Sequence, residues 1–122
     1  VWDGAGRAML YWDNGAMFNY AEVTPEGYCM FNFRATSGHA SVMAGQTQAG
    51  KVFRMAVVNT GGVLTAFLNG VQGAQTGFQP APWGDFPVFS LGCLEHSSAG
   101  TWYARSFKTW SVALTPEQIS TL

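Results

Sequence analysis

The chain has 122 residues, of which 48% are apolar, 15% aromatic and only 11% charged, and six Lys+Arg against seven Asp+Glu leave a formal charge of −1. That length and composition suit one folded domain spanning residues 1–122 and exclude disorder, because apolar material is ample and net charge is nearly nil. Six scattered basic residues give no electrostatic footprint for nucleic acid, and no run approaches the ~20 apolar residues of a membrane-inserted helix.

In chain order, the alternating or continuously apolar runs predict strands over residues 8–12, 16–22, 28–35, 41–44, 52–59, 63–68, 88–92 and 102–110. Glycines stand at nearly every joint between them. Asp13-Asn14-Gly15 reads as a tight hairpin turn, since Asn-Gly takes positive φ readily, and Thr60-Gly61-Gly62 reads as a second. Residues 75–87 hold Pro80, Pro82 and Pro87 with Phe78, Trp83 and Phe86. Such a stretch cannot be a central strand, and it is the longest expected loop. At the end, Leu114-Thr115-Pro116-Glu117-Gln118-Ile119 predicts one short helix, with Thr as N-cap, Pro at the first helical position and Gln three residues after the cap. Ile119 and Leu122 are its expected buried residues. Short strands at this spacing predict an all-β fold, a two-sheet antiparallel β-sandwich closed by a short C-terminal helix.

The two cysteines, Cys29 and Cys93, fall in apolar strand runs. They read either as buried free thiols or as a disulfide between neighbouring strands, and their spacing matches no zinc pattern. The chain starts at Val1 and is strand-like by residue 7, so it reads as the C-terminal part of a longer chain.

Three segments carry a resemblance. Val63-Leu64-Thr65-Ala66-Phe67-Leu68-Asn69-Gly70, the VFSLG run at residues 88–92 and the ending WYARSFKTWSVALTPEQISTL at residues 102–122 resemble the closing strands and short helix of concanavalin A-like lectin/glucanase domains of the laminin G-like kind. The resemblance covers about half the chain, from residue 52 onward. Arg54-Met55-Ala56-Val57 before the hairpin is similar to domains of bacteriophage tail-fibre, tailspike or head-fibre proteins. The resemblance implies a jelly-roll sandwich, a virion-surface or otherwise extracellular location, and an edge strand lying upstream or supplied by a neighbouring subunit.

Glucanases of that fold use closely spaced carboxylates on one strand, and retaining hydrolysis needs two carboxyls ~5 Å apart. The acids here are Asp3, Asp13, Glu22, Glu26, Asp85, Glu95 and Glu117, and no predicted strand carries two on one face. His39 and His96 neighbour serines in glycine-containing loops, where turn chemistry is the simpler reading. No catalytic residue is assigned, and a hydrolase would need an active site shared between subunits, with Asp85 or Glu95 facing a neighbour's acid. Calcium, which many members of the fold bind, would need several oxygen ligands. Only Asp13 with Asn14 and Asp85 with Glu95 offer them, which is thin support for a metal.

The aromatic residues point to a different chemistry. Trp83 lies in Pro82-Trp83-Gly84-Asp85, where neighbouring prolines would hold its ring as a ready stacking platform for a sugar. Asp85, and His96 from the next loop, would hydrogen-bond hydroxyls beside it. Trp12 with Asn14 at the first hairpin forms a second candidate pair. Phe31, Phe33, Phe53, Phe67, Phe89 and Phe107 are expected in the core, and Trp110 beneath the final helix. The resulting expectation is a non-catalytic, lectin-like module that binds a bacterial cell-surface polysaccharide or oligosaccharide and self-associates, as a homotrimer in a fibre. The alternative from another class is a structural, oligomerising module whose exposed aromatics anchor subunit contacts.

Overall fold

The computed structural model describes the backbone of residues 7–13, 18–35, 38–80, 88–91 and 106–122, and the side chains of residues 19–35, 38–80 and 106–122. Among the described residues, eight strands and one helix follow in order: β1 (Arg7–Asp13), β2 (Phe18–Val23), β3 (Tyr28–Ala35), β4 (Gly38–Gln46), β5 (Met55–Thr60), β6 (Val63–Leu68), β7 (Val71–Gly77), β8 (Val88–Leu91) and α1 (Pro116–Ser120). They form a five-stranded sheet in the order β4-β3-β2-β1-β8 and a three-stranded sheet in the order β5-β6-β7. Every pairing is antiparallel. The all-β, two-sheet sandwich with a short C-terminal helix is thus the architecture of the chain.

Alternation along the strands builds the core. β3 turns Cys29, Phe31 and Phe33 inward, β2 contributes Ala21 and Val23, and β4 adds Val42 and Ala44. Leu64 and Ala66 of β6 meet them from the second sheet, with Phe53, Met55, Val57, Leu68 and Phe78 packed around the edge. The period of two places residues i and i+2 on one face. Phe67 is therefore on the opposite face of β6 from Leu64 and Ala66, and it too is buried.

The sheets meet where two irregular strands face each other. On β4, Cys29 pairs with Gly45 and Met30 with Met43, so Ala44 is an extra residue. On β7, Gln72 opposes Phe67 and Gln75 opposes Thr65, leaving Gly73 and Ala74 against Ala66 alone. Such bulges bend a strand and sharpen its twist. Here they bring the backbone of β7 onto that of β4, with Gly73 directly against the carbonyls of Met43 and Ala44.

One buried polar side chain completes the inner face. Asn19 is 1% exposed, and its Oδ1 accepts the backbone N–H of Arg34 at 2.7 Å. A buried amide oxygen without such a donor would cost its desolvation energy, about 1–3 kcal/mol.

Two hairpins follow from turn chemistry. Gly61 and Gly62 take φ of 58° and 82° between β5 and β6, and Asn69 and Gly70 take 54° and 81° between β6 and β7. Paired positive φ is the geometry whose twist matches the flanking strands. Asn69 is also clasped to Arg54: its N–H donates to the Arg54 carbonyl and its Oδ1 accepts the Arg54 N–H, both at 2.9 Å. The helix has the expected capping box, with Thr115 Oγ1 accepting from the Gln118 N–H and Gln118 Oε1 accepting from the Thr115 N–H.

Four expectations are corrected. β7 was not anticipated, and it takes residues 75–77 out of the expected loop. Residues 106–110 are irregular rather than strand, and within them Phe107 and Trp110 are 48% and 45% exposed, not core. Ile119 is buried as expected, but Leu122 is exposed. β5 begins at Met55, so the apolar residues Val52 and Phe53 precede it. The 14–17 turn, the prolines Pro82 and Pro87, and Cys93 lie outside the described residues.

Cys29 is a free, fully buried thiol. Burial pushes it from the ordinary 9.0 up to about 11, against a smaller opposing pull from the Thr47 backbone. Since the folded thiol holds its proton longer than the unfolded one, its contribution to stability is intact below about pH 9 and is lost as pH rises toward about 11. At neutral pH a thiol reagent should leave Cys29 unmodified in the native protein and label it on denaturation, as read by peptide mass mapping. Rapid native labelling of Cys29 would contradict its placement.

Candidate functional site

The face of the five-stranded sheet turned away from the core carries the chemistry. Alternating with the inward Phe31 and Phe33, β3 presents Met30, Asn32 and Arg34 outward, and β2 presents Tyr20 and Glu22. From β4 come His39, Ser41 and Met43, all exposed. Register sorts these into rows across the strands. Tyr20, Asn32 and Ser41 are successive partners; so are Glu22, Met30 and Met43; and Arg34 is opposite His39. Directly opposed side chains on neighbouring strands stand close enough to interact.

A hydrogen-bonded ladder crosses the three strands. Ser41 Oγ donates to Asn32 Oδ1 at 2.5 Å, and Asn32 Nδ2 donates to Glu22 Oε1 at 3.1 Å. This holds the Asn32 amide in one orientation. These two bonds use one Asn32 N–H and one Glu22 oxygen, so each of the three side chains keeps further hydrogen-bonding capacity. Tyr20 stands between opposite charges. Partial burial, and then the Glu22 carboxylate, push its phenol above the usual value, while Arg34 pulls it down. The phenol therefore keeps its proton at neutral pH and can both donate and accept. Tyr28, exposed at the start of β3 and paired with Gln46, extends the face with a second ring.

The arrangement is one of fixed donors, acceptors and rings, which suits recognition of a polyhydroxylated ligand. Glu22 is the one carboxylate on this face among the described residues, whereas general acid–base hydrolysis of a glycoside uses a pair. No group of three or more His, Cys, Asp or Glu able to hold a metal occurs among the described residues. The calcium candidates Asp13 with Asn14, and Asp85 with Glu95, have side chains outside them.

Of the residues singled out from sequence, Trp83, Asp85, His96 and Asn14 lie outside the described residues. Trp12 is placed by its backbone in β1, paired with Asn19 on one side and Phe89 on the other. Its register partner Asn19 belongs to the inner row, and the neighbouring Tyr11 is paired with Tyr20 of the outer row. The residues missed were Tyr20, Glu22, Asn32, Arg34 and Ser41. The alternation in Tyr28-Cys29-Met30-Phe31-Asn32-Phe33-Arg34 was the available signal for an outward polar set on β3. Its partners on β2 and β4 follow only from register.

No family model matches the sequence, and no curated protein does. Among solved structures, the chain is similar to an S-layer domain-containing protein of Clostridium thermocellum (residues 221–444), with a TM-score of 0.54 and 17% identity over 94% of this chain. The match spans 61% of that protein's chain. At this identity the likeness concerns the fold alone. No helix among the described residues is long and apolar enough to cross a membrane.

Proposed function

We propose that this domain is a non-catalytic carbohydrate-binding module of a phage-type fibre or spike protein, recognising a bacterial cell-surface polysaccharide in a concanavalin A-like jelly roll. The observation that carries the reading is the Ser41–Asn32–Glu22 ladder beside Tyr20 on an outward sheet face. Sugar hydroxyls need donors and acceptors held at fixed spacing, and a hydrogen-bonded ladder supplies them with little ordering left to do on binding. Trp83, Asp85, His96 and Asn14 are proposed as further contacts, whereas Trp12 stands in β1 in register with Asn19 of the inner row. The similar S-layer domain-containing protein agrees with a cell-surface or extracellular setting. Weak single sites would gain strength from several copies on one fibre.

The test is the light-scattering mass of the purified domain, with and without extracted bacterial surface polysaccharide. A gain in mass or precipitation is expected with the native domain. Asn32→Ala should lose at least tenfold in apparent affinity while unfolding within about 1 kcal/mol of the native protein, as for a surface residue. Polysaccharide binding unaffected by Asn32→Ala would remove this face from the account.

A second reading has its own observation. Phe107, Trp110, Val112 and Leu122 are exposed in the C-terminal segment, which suits a subunit contact of a structural, oligomerising module. In that case the domain would self-associate, as a homotrimer, without polysaccharide, and Trp110→Ser would lower its mass toward the monomer.

A further inference from the structure

We infer that the ligand of the outer face is an acidic glycan, with the carboxylate of a uronic-acid residue held at Arg34 and His39. The inference rests on the carbohydrate-binding reading and goes beyond it by naming the sugar class. The face is not uniform in charge. Arg34 and His39 are cross-strand partners in one row, and Glu22 is in the row of Met30 and Met43. Four residues along β3 separate Arg34 from Met30, which is about 13 Å at strand rise. An anion is therefore drawn to the Arg34 end and repelled from the Glu22 end.

Between them lies the row of Tyr20, Asn32 and Ser41, one pair of residues from each end. A carboxylate at Arg34 would place the hydroxyls of its own ring over Asn32 and Ser41, and those of the next ring toward Glu22, which accepts hydroxyl protons. The guanidinium presents its N–H donors in a planar fork matched to carboxylate geometry. Its backbone is fixed independently, because the Arg34 N–H is held by buried Asn19. A singly charged carboxylate fits better than a doubly charged phosphate, since Glu22 shares the face. The overall charge of −1 supplies no general attraction for an anion, and the preference for acidic sugars is assigned to this local row.

The experiment titrates the whole domain calorimetrically with polygalacturonate, alginate and hyaluronate, and with the same three polymers after carboxyl reduction to the neutral sugars. At least one acidic polymer should bind, its reduced form at least tenfold more weakly, and added salt should weaken only the acidic one. Arg34→Gln should remove that tenfold preference, Arg34→Lys should restore part of it, and His39→Gln should reduce it. Thermal unfolding of each variant checks that it folds. Equal binding of acidic and reduced polymers, or a preference untouched by Arg34→Gln, overturns the acidic-sugar inference and leaves carbohydrate binding standing. If no acidic polymer binds while a neutral bacterial polysaccharide does, the inference also fails alone. Failure of every polysaccharide takes both readings down.

Discussion

Replacing Gly73 by alanine is expected to destabilise the domain by about 3 kcal/mol or more, at the upper end of what overpacking costs. A Cβ at this position would stand 2.6 Å from the Met43 carbonyl oxygen and 2.7 Å from the Ala44 carbonyl carbon, and closer still to the Ala44 oxygen. All three atoms are backbone of β4, which is paired with β3 from Ala35↔Gly38 to Tyr28↔Gln46. They cannot move aside as a side-chain tip would. The methyl group must instead push β7 from β4, opening the sandwich where Leu64 and Ala66 meet Val42 and Ala44. Gly77, on the same strand, has nothing within 4 Å of an added Cβ. Gly77→Ala should therefore stay within about 0.5 kcal/mol of the native protein. Urea unfolding of the two variants side by side checks the claim, and equal stability would show that β7 does not ride against β4.

Asn19→Asp is expected to cost several kcal/mol at neutral pH, although it changes one group of the same size, because it buries a charge on the inner face of the sheet. The carboxylate oxygen could still accept the Arg34 N–H, so the loss measures charge burial rather than a lost acceptor. The pH dependence has a definite sign. Burial raises the folded carboxyl's pKa above its unfolded value near ~3.9, so the penalty is absent below that pH and grows as pH rises. The gap between variant and native protein should shrink as the pair is compared at successively lower pH. A gap independent of pH would show that Asn19 is hydrated, contrary to its burial.

The fold was legible where local chemistry and periodicity agreed. Alternation in β3, the paired glycines at 61 and 62 and the capping box at Thr115 each encode their geometry within a few residues. β7 was not, although Asn69-Gly70 is a strong hairpin signal and implies a returning strand. Val71-Gln72-Gly73-Ala74-Gln75-Thr76-Gly77 has little apolar periodicity, because its small residues answer to the backbone of β4 rather than to a core. The aromatic spacing at Phe107 and Trp110 misled in the opposite sense, since apolar content alone does not say which face is covered.

The candidate face was half legible. Asn32 and Arg34 alternate with Phe31 and Phe33, so their outward direction follows from sequence. That Glu22, Asn32 and Ser41 form one ladder does not, because it depends on the register of three strands. A shift of one residue in either pairing would turn one strand's polar set into the core. A proline-flanked tryptophan such as Trp83, by contrast, stands out in the sequence without any register being known.

The most direct measurement of the central claim is backbone amide chemical-shift mapping of the labelled domain as bacterial surface polysaccharide is added. Binding by the outer face predicts progressive shifts at Tyr20, Glu22, Asn32, Arg34, His39 and Ser41, with the amide signals around Trp83 shifting alongside them. Shifts at saturating polysaccharide confined to the C-terminal segment around Trp110, or none anywhere, would contradict it.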